Sequence, residues 1–318
     1  MPRCDMRAAG GVLVLVCLTT GCGAHASPRL SPRINRPGEA AGQAATRTDA
    51  LGRALEAPGS TAPEPPADAD PASPAPGPPI LETEDAMLAA ALKALEAVPT
   101  AERHRRVAYA YWRRGVLDTA YAHLAQARDL DPTDAAASAG MALIWREWGF
   151  PHLGLSDAYK ALYFAAASPA VHNTLGTLLQ ALGRRQSARE RYRETLTLDP
   201  RAAYAYNNLC YISFLDGNFD RALAQCRAAL QLAPGLVAAR NNLGLVYAAR
   251  GRLDRARQEF FTGGDAATGH YNMGIVHLAN RDYAQAAEAF DAAVDARPSW
   301  SAALARASQA RHLLTQPW

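Results

Sequence analysis

The sequence predicts an all-α protein: a right-handed superhelical solenoid of six helix pairs with a capping helix at each end. Three observations predict this fold. A pattern of small and large apolar residues recurs, mostly every 34 residues, from about residue 101 onward. Glycines mark the middle of most repeats, and prolines close several of them, as expected where helices end. Twelve of the 21 prolines fall within residues 23–80, which separates that stretch from the repeats.

The charge balance and the absence of known motifs exclude several functions. The chain has 33 lysines and arginines against 30 aspartates and glutamates, a net charge of +3. A nucleic-acid-binding protein needs a concentrated basic face, so we expect no nucleic-acid partner. The sequence contains no dinucleotide-binding, P-loop, zinc-protease or nucleophile-elbow motif. We therefore expect no catalysis and no cofactor.

The first 21 residues have the pattern of an export signal. Arg3 and Arg7 precede an apolar run over residues 11–18. That run is shorter than the 18 to 20 residues, roughly, that cross a bilayer comfortably. We therefore predict that residues 1–21 are a signal peptide.

Two cleavage sites compete after the apolar run. Leu18-Thr-Thr-Gly-Cys22 resembles the lipobox of bacterial lipoproteins, which implies that residues 1–21 are removed and Cys22 is lipidated. Alternatively, Ala24-His-Ala26 matches the small-x-small site of ordinary signal peptidase, which would release a soluble protein beginning at Ser27. We predict lipidation, because an anchored domain needs a tether such as the stretch that follows.

Residues 22–80 are predicted to be a disordered linker. They are rich in proline, alanine, glycine and serine. Such a segment has too little apolar surface to offset the entropy of ordering it, and its prolines favour an extended chain. We interpret it as a stalk that lifts the folded residues 81–318 off a membrane.

The repeat itself is clearest in the segment Asn241-Asn-Leu-Gly-Leu-Val-Tyr247, which is followed by Gly251, Ala256 and Phe260. Steps of 34 residues toward the N-terminus and one of 30 toward the C-terminus meet related patterns. The repeats start near residues 101, 135, 169, 203, 237 and 267. This spacing resembles that of the tetratricopeptide-repeat family.

The resemblance implies two antiparallel helices in each repeat. Small residues at places 8 and 20 let the two helices approach closely, and larger ones, such as that at place 24, fill the space around them. The glycine in the middle of a repeat ends the first helix in the left-handed conformation. Residues 81–98 and 301–314 are expected to form the capping helices.

Two repeats depart from the pattern. Repeat 2 carries Pro151, with Gly154 and Ala158 where a small residue and an aromatic are usual, so its second helix should be shifted or thinly packed. Three neighbouring residues could compensate: Tyr159, Tyr163 and Phe164. In repeat 5, Gly263-Gly264 should break the second helix early and kink the array.

The resemblance also predicts where a partner binds. The first helices line the concave face of such an array, and their inner stripe is rich in asparagine. An asparagine amide both donates and accepts, so it can grip the backbone of an extended peptide, although it can equally join neighbouring helices. The predicted partner-binding residues of this stripe are Asn173, Asn207, Asn208, Tyr211, Asn241, Asn242, Tyr271 and Asn272.

The N-terminal end of the same face has a different character. Arg105, Tyr109 and Trp112 cluster on the first helix of repeat 1, beside Arg106 and Arg113. Arginine combined with aromatic rings suits an acidic or aromatic partner segment, although the same cluster could be a solvated face. We include Arg105, Tyr109 and Trp112 among the predicted partner-binding residues.

Two histidines and two cysteines need a separate interpretation. His270 and His277 lie seven residues apart on one helix, but both occupy core places, so we expect packing and no metal site. Cys210 and Cys226 occupy places 8 and 24 of repeat 4 and should face each other. Packed helix axes are usually farther apart than a disulfide spans, although place 8 lies on the inner side of its helix and could close that gap. We favour two buried thiols over a disulfide, because both places take small or apolar residues and free cysteine is a good buried filler.

By layout the chain resembles the lipidated repeat proteins that assemble type IV pili and tight-adherence secretion systems. We therefore expect a protein-binding scaffold of a bacterial envelope, lipid-anchored at the periplasmic face of the outer membrane. The alternative is a soluble periplasmic accessory subunit of an envelope enzyme, such as one that acts on peptidoglycan.

Overall fold

The computed structural model describes residues 80–262 and 264–316. The predicted signal peptide, Cys22, the linker up to residue 79, and Gly263 lie outside these ranges. Within them the chain forms fourteen α-helices and no strand, which confirms the predicted fold class. The helices are α1 (Ile80–Ala97), α2 (Ala101–Arg113), α3 (Leu117–Leu130), α4 (Ala135–Glu147), α5 (Leu155–Phe164), α6 (Pro169–Ala181), α7 (Arg185–Leu198), α8 (Ala203–Leu215), α9 (Phe219–Leu232), α10 (Val237–Ala249), α11 (Leu253–Thr262), α12 (Ala266–Ala279), α13 (Tyr283–Ala296) and α14 (Ser301–Thr315).

Helices α2 to α13 form six consecutive pairs, and each pair packs on the next. The pairs begin at residues 101, 135, 169, 203, 237 and 266, as the repeat spacing predicts to within one residue. Both capping helices are also present. The Arg103 guanidinium holds α1 to α2 by donating to the carbonyls of Ala94 and Val98, at 2.8 and 2.9 Å. At the other end α14 packs on α13 through buried alanines.

Five of the six pairs turn at a glycine in the left-handed region, as predicted. These glycines, at place 15, have φ between 71° and 83°. In repeat 6 the same place is taken by Arg281, with φ of 66°. The turn geometry is therefore retained where the glycine is not.

A contact between places 8 and 24 sets how closely the two helices of a pair approach. In repeats 3, 5 and 6, place 8 is glycine and place 24 is a fully buried aromatic residue. A Cβ added to Gly176 would lie 2.5 Å from the ring of Tyr192, and one added to Gly244 would lie 2.4 Å from Phe260. The aromatic ring therefore occupies the volume that a side chain at place 8 would need.

Repeat 4 fills this contact with a covalent bond. Cys210 and Cys226 form a disulfide, with their Cα atoms 5.3 Å apart. The two residues face each other as predicted, but the preference for two free thiols is wrong. That preference used the usual distance between helix axes, whereas the Cα atoms of this pair lie within the reach of a disulfide.

In repeat 2 the close contact between the two helices is made by small residues. A Cβ on Gly154 would lie 2.6 Å from the carbonyl oxygen of Ala142, and Ala158 at place 24 is fully buried. Helices α4 and α5 are therefore in close contact without an aromatic residue. The expectation that nearby aromatics compensate is wrong, because all three are exposed to solvent: Tyr159 by 50%, Tyr163 by 82% and Phe164 by 40%.

The second helix of repeat 5 ends early, as predicted. Helix α11 has ten residues, whereas the second helices of repeats 1, 3, 4 and 6 have fourteen. Gly269 at the start of α12 accommodates the shortened helix, because a Cβ there would lie 2.9 Å from the ring of Phe261.

Candidate functional site

A groove of about 650 Å³ lies along the first helices of repeats 1 to 3. Helices α2, α4 and α6 supply most of its lining, and Tyr204 of α8 also contributes. We call it the N-terminal groove. It brings together four of the predicted partner-binding residues: Arg105, Tyr109, Trp112 and Asn173.

Small residues on α4 leave space for this groove. Ala135, Ala136, Ala139 and Gly140 all line it. Ala139 and Gly140 occupy places 5 and 6 of repeat 2, where the later repeats carry larger side chains. The surface is therefore recessed at repeat 2, between the larger residues of α2 and α6.

The apolar wall of the N-terminal groove comes from α2. Trp112 is only 6% exposed, and its indole Nε1 finds no hydrogen-bond partner among the described residues. Tyr109 lines the groove beside it, and the guanidinium of Arg113 lies 6.0 Å from the centre of its ring. This wall presents apolar ring surface, which suits an apolar or aromatic side chain of a partner.

The arginines of the N-terminal groove pair with acidic side chains. Arg105 Nε lies 2.8 Å from Asp134 Oδ2, Arg106 pairs with Glu102, and Arg146 lies 2.6 Å from Glu147. Asp134 also accepts a hydrogen bond from the backbone of α4, so Arg105 helps to hold α2 against α4. Charge in the groove is therefore largely compensated.

The asparagines farther along the face bond to one another. In each case the place-6 amide donates to the place-5 amide of the preceding repeat. Asn208 donates to Asn173 at 2.8 Å, Asn242 donates to Asn207 at 2.8 Å, and Asn272 donates to Asn241 at 3.1 Å. We call these contacts the asparagine bonds. They join successive first helices of repeats 3 to 6, and a role of these amides in partner binding stays a prediction.

The two tyrosines of the predicted stripe lie apart from the N-terminal groove. Tyr271 is 5% exposed and stacks on Trp300, with ring centroids 4.6 Å apart. It is therefore a core residue and not a groove residue. Tyr211 is half-buried, and its ring stacks on Phe214 at 6.3 Å.

His270 and His277 pack at the rim of the core, as predicted. The ring of His270 meets Phe261 edge-on at 4.9 Å. His277 Nδ1 lies 3.9 Å from a carboxylate oxygen of Asp282, while burial lowers the pKa of the histidine. No group of three or more metal-binding side chains gathers in residues 80–262 or 264–316. None of the helices in those ranges is long and apolar enough to cross a membrane.

Comparison with known proteins agrees with the helix pairing. Family models described as tetratricopeptide repeat match residues 173–237, 213–273 and 271–315. The chain resembles the crystal structure of the APC/C hetero-tetramer Cut9–Hcn1, with a TM-score of 0.60 at 18% identity over 71% of this chain and 46% of that one. It folds as a tetratricopeptide-repeat solenoid.

Other relatives share the solenoid at low sequence identity. The human IFIT1 dimer gives a TM-score of 0.61 at 16% identity, covering 73% of this chain and 60% of that one. A tetratricopeptide repeat protein from Parabacteroides merdae gives 0.55 at 15% identity, covering 84% and 99%. Human tetratricopeptide repeat protein 6 is 28% identical over 145 residues, which are 45% of this chain. The chain spans only 28% of that relative's length, and these likenesses establish the fold alone.

The sequence did not predict all of the residues that line the groove of this tetratricopeptide-repeat solenoid. The missed residues include the small floor of α4, together with Leu143 and Arg146. The signal was present, because the helix begins Ala-Ala-Ala-Ser-Ala-Gly, with unusually few large side chains. Small residues attract attention at tight contacts between helices, and here the same residues also line the groove.

Proposed function

We propose that this protein is a membrane-tethered scaffold of a bacterial envelope that binds a segment of a partner protein in the N-terminal groove. The observation that carries the proposal is the groove itself: a recess over three repeats with a floor of alanine and glycine and a wall that includes Trp112. A site of this form accepts the side chains of an extended or helical segment. Its compensated charges favour apolar and hydrogen-bonding contacts over a purely acidic partner.

The envelope location draws support from two features. The first 21 residues have the pattern of an export signal, and Cys22 is the lipid anchor that we predict. The Cys210–Cys226 disulfide suits the oxidising space outside the inner membrane. By layout we favour a role in pilus or secretin assembly at the outer membrane. A soluble periplasmic subunit of a peptidoglycan-acting enzyme is the alternative.

Affinity purification of the full chain from its native envelope distinguishes these two roles. Pilus or secretin components as the main copurified proteins would support the first, and a hydrolase or synthase would support the second. Mass spectrometry of the mature N-terminus tests the anchor. An acylated Cys22 is expected, whereas a free Ser27 terminus would contradict tethering.

A groove-filling substitution tests the binding site. Ala139→Phe adds a large side chain to the floor of the groove. We expect it to lower the affinity for the purified partner at least about tenfold, because the added ring excludes the bound segment. Ala122→Phe is the control for an added ring outside the groove, because Ala122 is exposed on α3 and does not line the groove. Thermal unfolding of both variants checks their folding. Equal partner affinity in the folded Ala139→Phe variant would show that the segment binds elsewhere.

A further inference from the structure

A pair of histidines lies between the two helices of repeat 1. His104 is on α2 and His123 is on α3, and their Nδ1 atoms are 3.1 Å apart. The ring centroids are 5.3 Å apart and the ring planes are tilted by 36°. Tyr111 stacks on His123 at 5.8 Å. Because nineteen residues separate the histidines, the fold creates the pair without a local sequence motif.

A single proton links the two rings. For two neutral imidazoles to bond through Nδ1, one must carry its proton on Nδ1 and the other must accept there. Burial lowers the pKa of His104, and burial followed by the charge of His104 lowers the pKa of His123. Both rings are therefore neutral at pH 7, which is the form of imidazole that binds metal ions.

The distance between the rings suits a shared metal ion. Two Zn–N bonds of about 2.0–2.1 Å that meet at a tetrahedral angle hold their nitrogens about 3.3 Å apart. The observed 3.1 Å is within about 0.2 Å of that separation, and metal binding requires each ring to turn until its Nδ1 lone pair points at the ion instead of at the other nitrogen. The two rings are also half-buried, so they retain access to solvent.

We infer that His104 and His123 form a two-histidine binding site for a divalent transition-metal ion, of which Zn²⁺ is the representative. The ion takes the place of the shared proton, and that proton moves to Nε2 of the same ring. Both rings then carry their proton on Nε2, and no net proton is released. Two coordination positions remain for water, so the site binds less tightly than a structural site with four protein ligands.

Titration of the full chain with zinc chloride tests this site, followed by the ¹⁵N resonances of the imidazole rings. We expect the Nδ1 resonances of His104 and His123 to move together and to stop moving after one equivalent. His104→Gln and His123→Gln should each weaken zinc binding about tenfold or more. The matched control His152→Gln, at an exposed histidine, should leave the affinity unchanged.

Several results would overturn the inference. They are an unchanged pair of Nδ1 resonances, a response of only one ring, or a double His104→Gln, His123→Gln variant with wild-type zinc affinity. Circular dichroism confirms that the variants remain helical. If a variant does not fold, the zinc titration of the wild-type chain still tests the inference, because the Nδ1 resonances report directly on the two proposed ligand atoms.

Discussion

Arg281 offers a direct test of how the turns within the helix pairs are built. It has φ of 66° at the place where the other five repeats have glycine. The left-handed conformation costs a residue with a Cβ about 1–2 kcal/mol. Relief of this cost is the gain from glycine. Glycine also raises the conformational entropy of the unfolded chain, which lowers the free energy of unfolding by about 0.4–1 kcal/mol. Arg281→Gly should therefore stabilise the last helix pair by about 1 kcal/mol.

Hydrogen exchange of the amides in α12 and α13 is the suitable assay, because the pairs of a solenoid open locally. A gain of about 1 kcal/mol slows exchange through that opening about fivefold. Arg281→Ala is the control, since it removes the same charge and side chain but keeps a Cβ in the left-handed region. If Arg281→Ala slows exchange as much as Arg281→Gly, the gain comes from the lost side chain and the backbone argument is wrong.

Three further predictions concern the disulfide, the histidine pair and the asparagine bonds. Replacing Cys210 and Cys226 by serine should lower the free energy of unfolding by about 3 kcal/mol, because the bridge closes a loop of about 16 residues; equal urea midpoints for the variant and the oxidised wild type would refute this. The lowered pKa values of His104 and His123 mean that the unfolded chain protonates first, so stability should fall as the pH drops below about 6.5. Melting temperatures between pH 7.5 and 5 check this, and a double glutamine variant should lose less stability over that range. Asn242→Ala should lower the free energy of unfolding by about 1–2 kcal/mol, because the buried amide oxygen of Asn207 loses its donor. An unchanged unfolding midpoint would show that this hydrogen bond does not stabilise the fold.

The periodic pattern predicted the architecture well because helix packing constrains it at every repeat. The glycine at place 15 is needed for the left-handed turn, and the small residue at place 8 is needed where the two helices approach closely. Both therefore recur in most repeats, and their positions in the sequence locate the helix pairs. Repeat 2 shows the limit of this reasoning. Gly154 and Ala158 indicated a departure, but not that α4 and α5 would still make close contact and leave Tyr163 exposed.

The site was harder to predict because it depends on distances between repeats. The sequence placed Tyr109 and Trp112 on the binding face, and the structure places both in the N-terminal groove. The sequence could not show that Asn242 would donate to Asn207. The orientation of each side chain decides whether its amide meets a neighbouring amide or a ligand, and the repeat pattern does not fix that orientation. The approach of His104 to His123 also depends on how two helices meet, which no local spacing records.

The contact between places 8 and 24 implies that these two positions change together. A glycine with an aromatic, an alanine with a leucine, two alanines and a pair of bonded cysteines all satisfy it. A side chain at Gly176 overlaps Tyr192, and a small residue at place 24 opposite that glycine leaves a void. Substitution at either place alone is therefore penalised, whereas a paired exchange can be neutral. The repeats of this chain can diverge in steps of two residues, and a cysteine pair moved as a unit into repeat 3 should form a second bridge.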